Sequence, residues 1–348
     1  MRSKKQQRLL HKKLLRLLAR RKSYEKTRNL LHNRKETVES KAEKSGVRWK
    51  TPPFSKVIIP KVFSFLKNPE DLFKFVNDTF KRYRGFKNGT ICFYMDFIRD
   101  IDLNALCLLI SLFNKLSRNN NRCVGTLPVD GNANLYVKNS GFLDVVKATR
   151  NRNILKNFEN RMYMVGKNQL DPDKIGMAVK KAMKVLTGKE QHFPPIYEIL
   201  IEICSNSVEH ANEHVPDKNW LISISHTDKD IHFILCDSGQ GILQTLHRKA
   251  KDLFTDAITF KKDGQVLADV FDRKYQSQTK ENNRHKGLPH VKECLANREI
   301  SNLVVITNNV IYDFTNKQCT TLNNEHKGTL FCWDVTLENY NNYLCSDD

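Results

Sequence analysis

No apolar run in the 348 residues is long enough to cross a bilayer. A spanning helix needs about 20 consecutive apolar residues, and the longest stretches here, such as Leu103 to Phe113, are shorter and interrupted. No signal peptide is visible at the N-terminus. Paired cysteines are missing too: the nine Cys are odd in number and sit singly, with no Cys-x-x-Cys spacing. That pattern speaks against a structural zinc site and against a disulfide framework. Cys107, Cys204 and Cys236 stand among apolar neighbours and read as small core residues, so a reducing cytoplasm is the expected home. Length and a hydrophobic content of 40% allow two packed domains of ordinary size.

Acidic residues are scarce at the start of the chain. Residues 1–50 hold 18 of the 58 Lys and Arg against 4 Glu, so most of the net charge of +20 belongs to this arm. Leu9, Leu10, Leu14, Leu15, Leu17 and Leu18 recur at helical spacing among the basic residues, which predicts a basic amphipathic helix suited to nucleic acid, an acidic protein or anionic lipid. It carries no aromatic stripe, which disfavours stacking on single strands and leaves contact with a phosphate backbone. Packing of the leucines on another subunit is the alternative. Gly46 to Pro53 marks a linker.

Further along, Ile231 to Cys236 reads as an apolar strand that delivers Asp237 into the turn Ser238-Gly239-Gln240-Gly241-Ile242. A carboxylate at a strand end accepts hydrogen bonds from an exocyclic amine, and glycines let the backbone approach a ligand without a Cβ in the way. Upstream, Ile199 to Ala211 has helical periodicity and places Glu202, Asn206 and His210 on one face. Such a polar ridge on an apolar helix needs partners, because an unpaired buried amide or carboxylate costs about 1–3 kcal/mol or more. Downstream, Arg284-His285-Lys286-Gly287-Leu288 sets a basic cluster and a glycine at a helix start, where backbone N–H groups favour anions. Lys327-Gly328-Thr329 introduces a last strand with a hydroxyl at its beginning.

In this order the four elements resemble the GHKL family of ATPases, which includes gyrase, histidine kinases and the anti-sigma-factor serine kinases. Glu202-x-x-x-Asn206-x-x-x-His210 is similar to the family's asparagine box, Asp237-x-Gly239-x-Gly241-Ile242 to its first glycine box, Lys286-Gly287-Leu288 to its second, and Gly328-Thr329 to its threonine motif. His285 stands where many members have a further glycine. The resemblance covers about 190–337 and implies a Bergerat-type α/β sandwich, an α+β fold, that binds ATP with Mg²⁺. It implies that Asp237 reads adenine, that Asn206 coordinates Mg²⁺, and that Glu202 acts as general base toward water and reaches the metal through water. His210, Gly239, Gly241, Ile242, Arg284, His285, Lys286, Gly287, Leu288 and Thr329 would complete the nucleotide site. The trio Arg284, His285 and Lys286 would stabilise transferring phosphoryl charge.

The polar segment 243–286 reads as a lid that gates the pocket rather than as a core element. Residues 54–150 form a second α/β pattern: Val57 to Ile59, a helix Pro69 to Tyr83, a strand Thr90 to Phe97, a helix Leu103 to Arg118 and a strand Arg122 to Leu127. Through Asp96-Phe97, Asp100-Ile101-Asp102 and Ser140-Gly141-Phe142 this region resembles a STAS domain. Phosphorylatable members carry a Ser after the loop Asp, whereas here Leu103-Asn104 follows Asp102. Residues 151–189 are expected to be connector helices and 338–348 a polar tail.

The combination implies a nucleotide-switched regulatory ATPase that acts on a protein partner through the STAS-like domain, with homodimerisation common among such ATPases. The architecture resembles bacterial stress or phage-defence components. The alternatives are a protein serine/threonine kinase of the anti-sigma type and a non-enzymatic, nucleic-acid-associated ATP-binding protein.

Overall fold

The computed structural model describes residues 53–148, 155–158, 161–167, 170–209, 219–252, 262–272 and 287–346. The basic arm 1–50 lies outside them, and the chain divides at Pro53/Phe54, with Phe54–Asp348 forming one compact unit. The unit is mixed α/β with both parallel and antiparallel sheets. Among the described residues no helix is long and apolar enough to cross a membrane.

The N-terminal part begins with β1 (Phe54–Ile58), β2 (Val62–Phe63) and α1 (Pro69–Tyr83), followed by β3 (Thr90–Tyr94), β4 (Asp100–Ile101), α2 (Leu103–Ser117) and β5 (Arg122–Gly125), then α3 (Gly131–Asn139) and α4 (Phe142–Ala148). Strands β1, β3 and β5 pair in parallel with β3 central, and β2 pairs with β4. α1 starts where expected because Asn68 caps it, accepting from the Asp71 N–H at 3.2 Å, and Pro69 needs no N–H partner in the first turn. α2 is apolar over most of its surface and therefore largely buried, with Ser111, Asn114 and Lys115 half-buried and Ser117 exposed on its polar side. Its cap is Asp102: one carboxylate oxygen accepts from the Ala105 N–H at 2.8 Å, and the other takes the Ser64 hydroxyl at 2.6 Å and the Leu66 N–H at 3.1 Å.

The larger sheet is antiparallel throughout. It contains β6 (Leu155–Phe158), β7 (Arg161–Lys167), β8 (Asn219–His226), β9 (Asp230–Asp237), β10 (Ser301–Asp313) and β11 (Gln318–Thr336), in the spatial order β10-β11-β9-β8-β7-β6. Helices α5 (Pro172–Thr187), α6 (Pro194–Glu209), α7 (Ile242–Asp252), α8 (Asp263–Phe271), α9 (Gly287–Ala296) and α10 (Leu337–Ser346) complete the chain. Strand periodicity explains the layering. Ile231, Phe233 and Leu235 of β9 pack with α5, α6, α8 and α9, while Ile234 and Cys236 face α2 and the N-terminal part. On β11, Phe331, Trp333 and Val335 join the first core and Leu330 and Cys332 the second. The centre of the sheet is thus buried on both faces, with helices on one side and the 54–148 layer on the other.

Four sequence expectations change here. Residues 151–189 do not form helices alone: β6 and β7 extend the large sheet, because β7 pairs with β8 along its whole length, before α5 begins. Residues 338–348 are not a polar tail through Ser346, since α10 buries Tyr340 and Asn339, and the Asn339 amide donates to the Arg298 carbonyl at 2.7 Å. Within 243–286, α8 is core: Val266, Leu267 and Phe271 are buried, and Phe271 packs on Phe314 with ring centroids 4.3 Å apart. Thr329 does not open the last strand; β11 starts at Gln318 and runs past it through an irregularity in register.

His326 of β11 is buried against Phe73 of α1, with ring centroids 5.0 Å apart. Burial, then the Lys115 charge, pulls its pKa down from 6.5 to about 3. The unfolded chain therefore takes up this proton at a higher pH than the folded one, and stability present above pH 6.5 drains as pH falls toward 3. The slope from this residue is about 1.4 kcal/mol per pH unit. Urea titrations between pH 7 and 4 should show that slope, and His326→Phe should remove it; an identical acid slope in the variant would refute the assignment.

Candidate nucleotide site

Asp237 ends β9 and is 8% exposed. Its carboxylate accepts from the Gly239 N–H at 2.6 Å, and the side chain and backbone of Thr329 on the neighbouring β11 favour its charged form. Burial raises its pKa, and these contacts, with the positive charge of Lys115, act in the opposite direction. The pairing of Asp237 with Thr329 depends on two glycines. A Cβ on Gly239 would sit 2.9 Å from the Asp237 carboxylate, and one on Gly328, at φ +118°, would sit 2.2 Å from the Asp237 carbonyl oxygen. Trp220 is the cross-strand partner of Asp237 on β8. Its indole leans over Gly166 on β7, away from Asp237, where a Cβ would meet the ring at 2.0 Å.

The turn after Asp237 is anchored by β10. Gly241 has φ +88°, and a Cβ there would meet the Asn308 and Thr307 side chains at 2.5 and 2.8 Å. The Thr307 hydroxyl accepts from the Ile242 N–H at 2.7 Å, and the Asn308 side-chain Oδ1 accepts from the Gln244 N–H at 3.2 Å, so two of the first N–H groups of α7 are satisfied by side chains of another strand. The Asn308 amide donates to the Gln240 carbonyl and to Glu325, each at 2.9 Å. Asn308 itself sits at φ +53° between two register shifts of β10. Sequence reasoning missed this pair. The polar run Thr307-Asn308-Asn309 inside an otherwise β-branched strand was the available signal, since Asn tolerates the left-handed region better than most residues.

Opposite the sheet, α6 carries Glu202 and, one turn later, Asn206, both half-buried. The Glu202 carboxylate lies beside the start of α9: a Cβ on Gly287, at φ +35°, would be 3.2 Å from it. Between the two polar residues, Cys204 is fully buried, and after burial itself the charge of Asp237 pushes its thiol pKa up. α6 therefore crosses the sheet close to Asp237, with Glu202 directed at α9. Ile242 and Leu288 pack against the helix-side core. The structure thus brings Asp237, Gly239, Gly241, Ile242 and Thr329 together at one sheet end, and Glu202 with Gly287 across the helix pair. His210, Arg284, His285 and Lys286 lie outside the described residues.

The donor set fits a purine nucleotide with a hard cation. A buried carboxylate acceptor serves an exocyclic amine, and the start of the ten-residue helix α9 is a place for phosphate. Among the described residues no group of three or more His, Cys, Asp and Glu is placed to hold a metal. A cation here would depend on Asn206 together with phosphate oxygens and water, which is how Mg²⁺ is commonly bound. Compared with known proteins, the chain matches no family model and no curated protein.

Proposed function

We propose that residues 190–337 bind Mg-ATP and that the protein is a regulatory ATPase, in which closure of a lid over the nucleotide controls a partner or assembly through the 54–148 layer and the basic arm. The observation that carries this reading is the buried Asp237 carboxylate, held between the Gly239 N–H and Thr329, with Glu202 set against the first residue of α9. In this reading Asp237 accepts from the adenine amine and Thr329 fixes the carboxylate's orientation. The N–H groups at the start of α9 face the phosphates. Asn206 would hold Mg²⁺, and the cation when bound would neutralise charge on the phosphate oxygens. Glu202 takes the proton of a water as that water's oxygen bonds to the γ-phosphorus, and the bridging oxygen leaves with ADP.

Purified protein incubated with γ-labelled Mg-ATP tests the reading. Free phosphate released in steady state, with no label on protein, is expected. Label transferred to an added STAS-type protein would favour a kinase of the anti-sigma kind, and binding without either would leave a nucleotide-switched scaffold. Failure of the protein to bind nucleotide at all would overturn the reading.

A further inference from the structure

Three contacts tie the N-terminal layer to the nucleotide-reading end of the large sheet, and all fall within a few residues of Asp237 and Thr329. The Lys115 ammonium of α2 donates to the Lys327 carbonyl at 3.3 Å, two residues before Thr329. One turn earlier on α2, the Ser111 hydroxyl is 3.5 Å from that of Ser238, the residue after Asp237. From α1, the Asn77 amide donates to the Glu325 carbonyl, and the Glu325 side chain in turn holds Asn308, which anchors the Gly239 to Gly241 turn.

We propose that Lys115 is a positioning residue for the adenine-reading pair: from the N-terminal layer it holds β11 at Lys327, keeps Thr329 in register with Asp237, and so couples nucleotide occupancy to α2. This rests on the nucleotide reading of Asp237 given above. Lys115 suits the task because its charge also acts on the Asp237 carboxylate, while its ammonium lies over the Phe80 ring, 6.0 Å from the centroid. Burial lowers the lysine's own pKa, and the Asp237 charge works against that lowering, so each charge favours the other. The coupling has a rigid carrier. Eleven of the 15 residues of α2 are buried, and the helix is capped by Asp102, whose carboxylate also holds Ser64 and Leu66. Its 15 residues span about 22 Å at 1.5 Å per residue. A shift of β11 on nucleotide binding is therefore delivered to the loop at Asp102 as a displacement of one solid element.

The test uses the full chain, Mg²⁺ and a non-hydrolysable ATP analogue. Calorimetry on the wild type establishes binding, and Lys115→Met, which keeps the stem and removes the charge, should weaken it by about 5- to 150-fold, the usual range for a coupled site. Lys115→Arg, which keeps a charged donor, should recover part of the loss, whereas a purely steric role for the stem would be served by methionine. Independently, amide exchange in α2 of the wild type should slow when the analogue is added, and this readout stands even if the methionine variant does not fold. Wild-type binding with no effect of Lys115→Met, or with unchanged exchange in α2, overturns the role of Lys115 while leaving the pocket intact. No binding by the wild type overturns both.

Discussion

Asp237→Asn is expected to abolish the rise in melting temperature produced by Mg-ATP, while the ligand-free variant melts at or above the wild-type temperature. The two halves of this result come from one environment. Burial raises the folded-state pKa of Asp237 above its ordinary value. Such a group's contribution to stability is fully present below its unfolded pKa of 3.8 and is lost as pH rises from there through the folded value, so at neutral pH the carboxylate is a cost to the fold. Asparagine removes that cost and still presents a carbonyl oxygen to the Gly239 N–H. What it cannot do is accept an amine proton with its second atom, which is now a donor itself. Two opposed donors and the loss of a charge-assisted hydrogen bond weaken binding by about 10²-fold or more. Differential scanning fluorimetry with and without Mg-ATP reads both effects. A variant that keeps the ligand shift would remove Asp237 from the site, and one that melts far below the wild type would make it a structural residue.

Glu202→Ala should lower the steady-state rate of phosphate release by about 10²–10⁴-fold, the usual contribution of a positioned general base, with nucleotide affinity little changed. The carboxylate is half-buried against the start of α9, where Gly287 leaves just enough room for it. It is thus placed at the phosphate end of the proposed pocket and not at the base end, which is why the loss should fall on turnover. Turnover equal to the wild type would exclude Glu202 as the base. A parallel collapse of affinity would assign it instead to phosphate or metal binding. Because Glu202 and Asp237 sit at opposite ends of the proposed ligand, the two variants should fail in different ways, and a shared phenotype would count against the arrangement.

Much of this was legible from local signals. Pro69 to Tyr83 was readable as a helix because Pro, acids in the first turn and bases in the last agree with the apolar spacing. Asp237 and its glycines were readable because a strand that ends in a carboxylate and a double-glycine turn is a compact, local pattern. Asn308, Lys115 and Ser111 were not readable in this way. Each acts on a residue between 64 and 212 positions away; the polar run 307–309 marks an irregular strand, but no neighbouring residue specifies the distant partner.

The sequence by itself determined most of the helices and strands and the glycine turn after Asp237, since helix caps, strand alternation and glycine turns are properties of a few adjacent residues. The tertiary structure decided how they are shared. Strand pairing made 155–158 and 161–167 part of the large sheet, alternation on β9 and β11 offered two apolar faces, and burial of the second face drew the 54–148 layer onto that side of the sheet. That burial is non-local and follows from area removed from water, which no single segment can specify alone.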